Sequence, residues 1–196
     1  MPEERHVRLS ALSCELLTRE YDQLADPGAF GRLAQEIVVG AIKKIHPDAH
    51  DNRGAGTPDC KYMAGSTAWA WEIKHDPDGK IDLSTRDVEG MMSDQNAQDH
   101  RPRLLVLDMR FPLSIWCFDA SKIQPGNFDI DANTDLQMPE EATELASHMD
   151  AILRLCDVDI FGTEDHAKPS VRDVLTWRPR SIIGSGVPSQ AMTPVR

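Results

Sequence analysis

Between Phe30 and Ile45 the apolar residues Phe30, Leu33, Ala34, Ile37, Val38, Ala41, Ile42 and Ile45 recur with the 3.6-residue period of an amphipathic helix. Pro47, just beyond, ends it. A second stripe, Leu9, Leu12, Leu16 and Leu17, predicts a helix over Arg8 to Tyr21, closed by the polar run Asp22 to Gly28 and packed over a sheet. After a polar loop from His46 to Pro58 the period changes. Cys60 to Ala64 and Thr67 to His75 read as strands, and the Gly65-Ser66 dipeptide between them is a two-residue hairpin turn of type II′. The residues from His75 to Gly79 make a turn, and Ser84-Thr85-Arg86-Asp87 resembles a capping box that opens a helix with Val88, Met91, Met92 and Gln95 on one face. Arg103 to Met109 holds four consecutive apolar residues, Leu104 to Leu107, as a buried central strand requires. Leu113 to Phe118 supplies another strand after the Pro112 turn. Met138 to Leu155 predicts a helix with Leu145, Met149, Ile152 and Leu153 inward. From Lys168 the chain is a basic tail rich in turn residues, with Pro169, Pro179, Pro188, Pro194, Gly184 and Gly186.

The 196 residues suit one domain with a sizeable core. The formal net charge is -11, which runs against the basic surface that phosphate binding normally asks for. The charge is uneven. Between Asp129 and Asp165 acidic residues dominate, with Arg154 the lone Lys or Arg, whereas Lys43, Lys44, Arg53, Lys61, Arg101, Arg103 and Arg110 lie elsewhere. Cys14, Cys60, Cys117 and Cys156 are widely spaced and form no zinc-like pair, as in a reduced cytoplasmic protein. His46 and His50 are separated by Pro47 and Asp48, which break the helical turn a shared zinc ion would need. No apolar stretch approaches membrane-spanning length, and the charged run from Glu3 to Arg8 lacks a signal-peptide core, so no membrane partner is expected.

The hairpin turn fixes a register. If Ala64 faces Thr67, then Lys61 faces Ala70 and Asp59 lands opposite Glu72, where Cβ atoms of paired strands are about 4.5–5.5 Å apart. Two opposed carboxylates destabilise such a pair unless something neutralises them, and a hard divalent cation with oxygen ligands does so. Lys74, two residues beyond Glu72, falls on the same face, while Trp69, Trp71 and Ile73 face the core. The backbone carbonyl of Ile73 lies between the two functional side chains as a further metal ligand. Ala68 and Ala70 are small, which leaves room for a substrate on that face.

At these residues the chain resembles the PD-(D/E)XK nuclease superfamily, the restriction-endonuclease-like group: Pro58-Asp59 supplies the PD and Glu72-Ile73-Lys74 the ExK. The resemblance extends over about Phe30 to Phe118. It implies an α/β fold of three layers, α/β/α, with a central mixed sheet. The nuclease domain would span 1–167, with its core at about 28–125 and an acidic helical part at about 129–165, followed by the 168–196 tail. It also implies a glutamate on the first core helix that assists the metal site. Glu36 is the only acidic residue there, yet helical angles put it near Arg32 and Lys43, away from the Leu33/Ile37/Ala41 stripe, which suits a surface role equally. In some relatives a glutamine on the helix after the motif approaches the site, and Gln95 or Gln98 occupies that part of the chain.

The resemblance implies Mg²⁺-dependent hydrolysis of DNA phosphodiester bonds, with Mn²⁺ able to substitute. Asp59 and Glu72 would hold one or two ions with the Ile73 carbonyl, and Lys74 would orient the attacking water and offset charge on the phosphoryl oxygens. The expected partner is duplex DNA, cut by a homodimer whose subunits each take one strand, in a restriction or defence endonuclease. A repair, recombination or transposition nuclease is the alternative on the same scaffold. From another class, the rival is a non-catalytic interaction module that uses the acidic surface between Asp129 and Asp165.

Overall fold

The apolar run Leu104–Leu107 forms the middle of the molecule, with all four side chains fully buried. A computed structural model describes residues 7–24, 26–52, 54, 56–93, 99–110 and 113–155. The elements in chain order are β1 (Val7–Arg8), α1 (Ala11–Leu24), α2 (Pro27–Ile45), β2 (His50–Asp51), β3 (Cys60–Ala64), β4 (Thr67–Asp76), β5 (Lys80–Leu83), α3 (Thr85–Met92), β6 (Asp99–Asp108), β7 (Ser114–Asp119), β8 (Gly126–Asp129) and α4 (Pro139–Arg154). Six strands make one sheet in the order β1-β7-β6-β4-β3-β2. The central pair β4–β6 is parallel and the other neighbours are antiparallel, so the sheet is mixed.

Alternation along the strands sorts the two faces. Trp71 and Ile73 of β4, Leu105 and Leu107 of β6, and Ile115 and Cys117 of β7 share one core with α1, α2 and α4. Leu104, Val106, Trp116 and Phe118 face the other side, under α3 and the separate two-stranded sheet β5–β8. The architecture is therefore α/β, a mixed six-stranded sheet flanked by helices on both faces, with the second outer layer shared between one short helix and a strand pair.

Several expected boundaries shift for local reasons. The first helix begins at Ala11, because Val7 and Arg8 pair with Ile115 and Ser114 as an edge strand. Asp150 holds that junction, its carboxylate accepting from the Ser10 backbone N–H at 3.2 Å and the Ser10 hydroxyl at 3.0 Å. The second helix starts at Pro27, with Asp26 as N-cap accepting from the Gly28 N–H at 2.9 Å. Within the stretch read as a loop, His50 and Asp51 pair with Lys61 and Cys60. Gly65 has φ 63°, the positive value that the hairpin turn demands. The tail from 168 onward, the acidic stretch beyond Leu155, Gln95 and Gln98 lie outside the described residues. Among the described residues no helix is long and apolar enough to cross a membrane.

Candidate active site

The hairpin closes in the expected register. Ala64 pairs with Thr67, Met63 with Ala68, Lys61 with Ala70 and Cys60 with Trp71, which carries Asp59 to the level of Glu72. Strand β3 stops there, whereas β4 runs on to Asp76. Past Cys60 the edge of β4 is thus left by its pairing partner, and the backbone of Ile73 is served by a side chain instead: its N–H donates to Asp59 Oδ2 at 2.8 Å. The N–H and C=O of one strand residue point to the same edge, so the Ile73 carbonyl is directed to the side on which Asp59 sits.

The end of β3 opens a cleft of about 430 Å³, lined by Arg32, Gln35 and Glu36 of α2, by Asn52, Gly54, Gly56, Thr57 and Asp59 of the incoming chain, by Glu72 and Lys74 of β4, and by Asp87 of α3. Asp59, Glu72, Lys74 and Glu36 are thereby brought to one place. Glu36 is half-buried on the cleft wall, although the packed stripe of α2 lies on its other side. Its route to the cleft is the vacated edge of β4, which α2 reaches from the opposite face of the sheet. The incoming chain is tethered at both ends: Asn52 N–H donates to the Asp59 carbonyl at 2.9 Å, and Gln35 Nε2 donates to Asp51 Oδ1 at 3.0 Å.

One expectation about this face fails. Ala68 and Ala70 are each 1% exposed, so their small size accommodates the packing of the chain and leaves no space for a substrate. The open volume lies further along β4, beyond Glu72.

Electrostatics mark the site. Glu72 is 4% exposed, and burial, reinforced by the charge of Asp59, pushes its carboxyl up to about 8. Burial likewise pushes Asp59 up to about 6, against the opposing pull of the Ile73 N–H and Lys74. Both acids therefore resist carrying negative charge together. Lys74 stands between carboxylates, its Nζ 2.7 Å from Glu72 Oε1 and 3.2 Å from Asp87 Oδ2. Burial alone would lower the Lys74 pKa, but Glu72 and Asp87 outweigh it and the ammonium is held above its ordinary value.

Asp87 was not foreseen as a site residue. It sits at the third position of α3 in a reciprocal capping box: Ser84 N–H donates to Asp87 Oδ2 at 2.9 Å and Asp87 N–H donates to Ser84 Oγ at 3.2 Å. The capping motif was visible in the sequence. Its consequence for Lys74 depends on where α3 docks, which no local pattern records.

The donor set suits a small, hard cation. Magnesium keeps several waters and uses one or two carboxylates together with substrate oxygens, so Asp59, Glu72 and the Ile73 carbonyl suffice. Among the described residues no group of three His, Cys, Asp or Glu side chains forms a preassembled cage. His46 is engaged elsewhere, stacked on Tyr62 with ring centroids 4.2 Å apart.

No protein-family model matches the chain, and no curated protein matches it. Among solved structures, a Holliday junction resolvase from the archaeal hyperthermophile Archaeoglobus fulgidus is similar at 19% identity, covering 50% of this chain and 84% of that one with a TM-score of 0.36.

Proposed function

We propose that the protein is a magnesium-dependent nuclease that hydrolyses DNA phosphodiester bonds, with restriction or defence as its first setting and repair or recombination as its second. The observation that carries this reading is the meeting of Asp59, Glu72 and Lys74 in one open cleft, in the register that the PD and ExK segments require.

Asp59 and Glu72 are the residues that would hold the cation, joined by the Ile73 carbonyl, and a cation there would offset the burial that raises both acids and the Asp59 charge that raises Glu72 further. When bound, the ion supplies Lewis-acid polarisation of the phosphoryl oxygen and a more acidic water. Lys74, kept charged by its two carboxylate neighbours, acts as a fixed hydrogen-bond donor that orients the attacking water and offsets developing negative charge. It is a poor general base for the same reason. Arg32, Gln35, Asn52 and Thr57 give the cleft wall donors suited to phosphate and sugar oxygens. Glu36 is a further acid close enough to the wall to serve a second cation or a bridging water.

Incubation with plasmid, linear duplex and single-stranded DNA, in Mg²⁺ and in chelator, tests the reading. Cleavage confined to the Mg²⁺ samples, and lost in Asp59→Ala and Lys74→Ala variants that keep their far-UV circular dichroism, is the expected result. Metal-dependent cleavage by pure Asp59→Ala would refute the assignment. Absence of Mg²⁺ or Mn²⁺ binding would instead favour the non-catalytic module.

A further inference from the structure

The geometry points to Asp87 as a positioning residue that aims the Lys74 ammonium into the cleft, an inference that rests on the nuclease reading of the same site. Lys74 Nζ is held from two elements at once. Glu72 Oε1, 2.7 Å away, belongs to its own strand, and Asp87 Oδ2, 3.2 Å away, comes from α3. A single anchor two residues back along β4 leaves a four-carbon side chain free to swing about that contact. A second anchor on a different element removes the swing. Asp87 is itself immobilised, because the oxygen that meets Lys74 also accepts the Ser84 N–H that closes the capping box.

The height of α3 above the site is set independently. A Cβ added to Gly90 would lie 3.1 Å from the Gly56 carbonyl oxygen, so glycine lets α3 press against the chain that delivers Asp59. That close approach sets α3, which carries Asp87, against the segment that leads to Asp59. The division of labour follows from charge: a cation drawn to Glu72 weakens that residue's hold on Lys74, and Asp87, held on a separate element by its capping box, keeps its own.

Three variants test this. Asp87→Asn keeps the size and an acceptor for Ser84 but removes the charge. Asp87→Glu keeps the charge and the cap, since glutamate is the usual partner at this position. Ser84→Ala weakens the cap but leaves the Asp87 carboxylate. Under Mg²⁺, Asp87→Asn should lose about 10- to 100-fold in kcat with KM within about 3-fold, Asp87→Glu should recover at least part of the loss, and Ser84→Ala should lose less than Asp87→Asn despite an equal or larger fall in Tm. A metal-free readout accompanies them: the ¹⁵Nζ resonance of Lys74, assigned by its disappearance in Lys74→Arg, should be sharp in the unmodified protein and broadened in Asp87→Asn.

Unchanged kcat together with an unchanged resonance in Asp87→Asn would overturn the inference, as would equal kcat losses in Ser84→Ala and Asp87→Asn, which would make the effect one of helix stability. If the unmodified protein shows no metal-dependent cleavage, the nuclease reading falls on its own, and the resonance still decides whether Asp87 holds the ammonium.

Discussion

Replacing Asp59 by asparagine should make the metal-free protein more stable while removing its response to magnesium. The side chain is partly buried and its Oδ2 accepts the Ile73 N–H at 2.8 Å, a bond that an asparagine oxygen can keep. Burial raises the Asp59 carboxyl from 3.8 to about 6. A carboxyl raised in the folded state binds protons that the unfolded chain has already released. Its charge therefore costs nothing below the unfolded pKa, and the cost grows as pH rises to about 6 and is constant above it. At 1.36 kcal/mol per pKa unit the full penalty is about 3 kcal/mol, and reorganisation of Lys74 and entry of water into the cleft bring the expected gain to about 1–3 kcal/mol. For a chain of this size that is a rise in Tm of several degrees. Thermal unfolding in chelator should show Asp59→Asn above the unmodified protein at pH 8, with the two curves converging as pH falls toward 4. Adding Mg²⁺ should raise the unmodified protein, by about 1.4 kcal/mol at ten times the dissociation constant, and leave the variant where it was. An Asp59→Asn protein less stable than the parent at pH 8 in chelator, or equally responsive to Mg²⁺, would refute the reasoning.

Other outcomes follow from the same geometry. In chelator the stability of the unmodified protein should fall as pH climbs from about 4.5 toward about 8, because burial and the Asp59 charge raise Glu72 to about 8, and saturating Mg²⁺ should flatten that slope in urea titrations. Lys74→Met should lower kcat by about 10²- to 10³-fold with DNA binding in Ca²⁺ largely retained, as judged by single-turnover kinetics and gel shift. Gly90→Ala, which would ordinarily strengthen a helix by up to about 1 kcal/mol, should lower Tm here, because its Cβ meets the Gly56 carbonyl oxygen at 3.1 Å. Arg103→Ala should cost about 3–5 kcal/mol in urea unfolding, since Arg103 is 4% exposed and donates from Nε and Nη2 to the two oxygens of Glu141 at 2.7 and 2.9 Å, tying β6 to α4.

What could be read from the chain was whatever a few adjacent residues decide. The Gly65-Ser66 turn set the β3–β4 register, and with a side-chain period of two that register alone carried Asp59 to the level of Glu72 and Lys74 to the same face. Pro47 and the apolar spacing set the C-terminal end of α2 in the same local way. The misses are non-local. Strand β5 is four residues long and its partner β8 lies far along the chain, Leu83 pairing with Gly126, so neither carries a pattern that stands out from a loop. Two-residue strands such as β1 and β2 are too short for alternation to register. Ala68 and Ala70 read as open space because residue size says nothing about what covers it. Glu36 shows the converse: its helical angle points away from the α2 stripe, yet the early end of β3 opens the sheet edge and admits it to the cleft. Asp87 announced its cap but not its ammonium partner, since the first is set within α3 and the second by the docking of α3 over β4.

Anomalous diffraction from crystals of the protein soaked in Mn²⁺ bears most directly on the central claim. A peak within about 2.0–2.6 Å of carboxylate oxygens of both Asp59 and Glu72, absent from crystals of Asp59→Asn, is the predicted result. Ordered manganese elsewhere with none between those two acids, or the same peak persisting in Asp59→Asn, would contradict it.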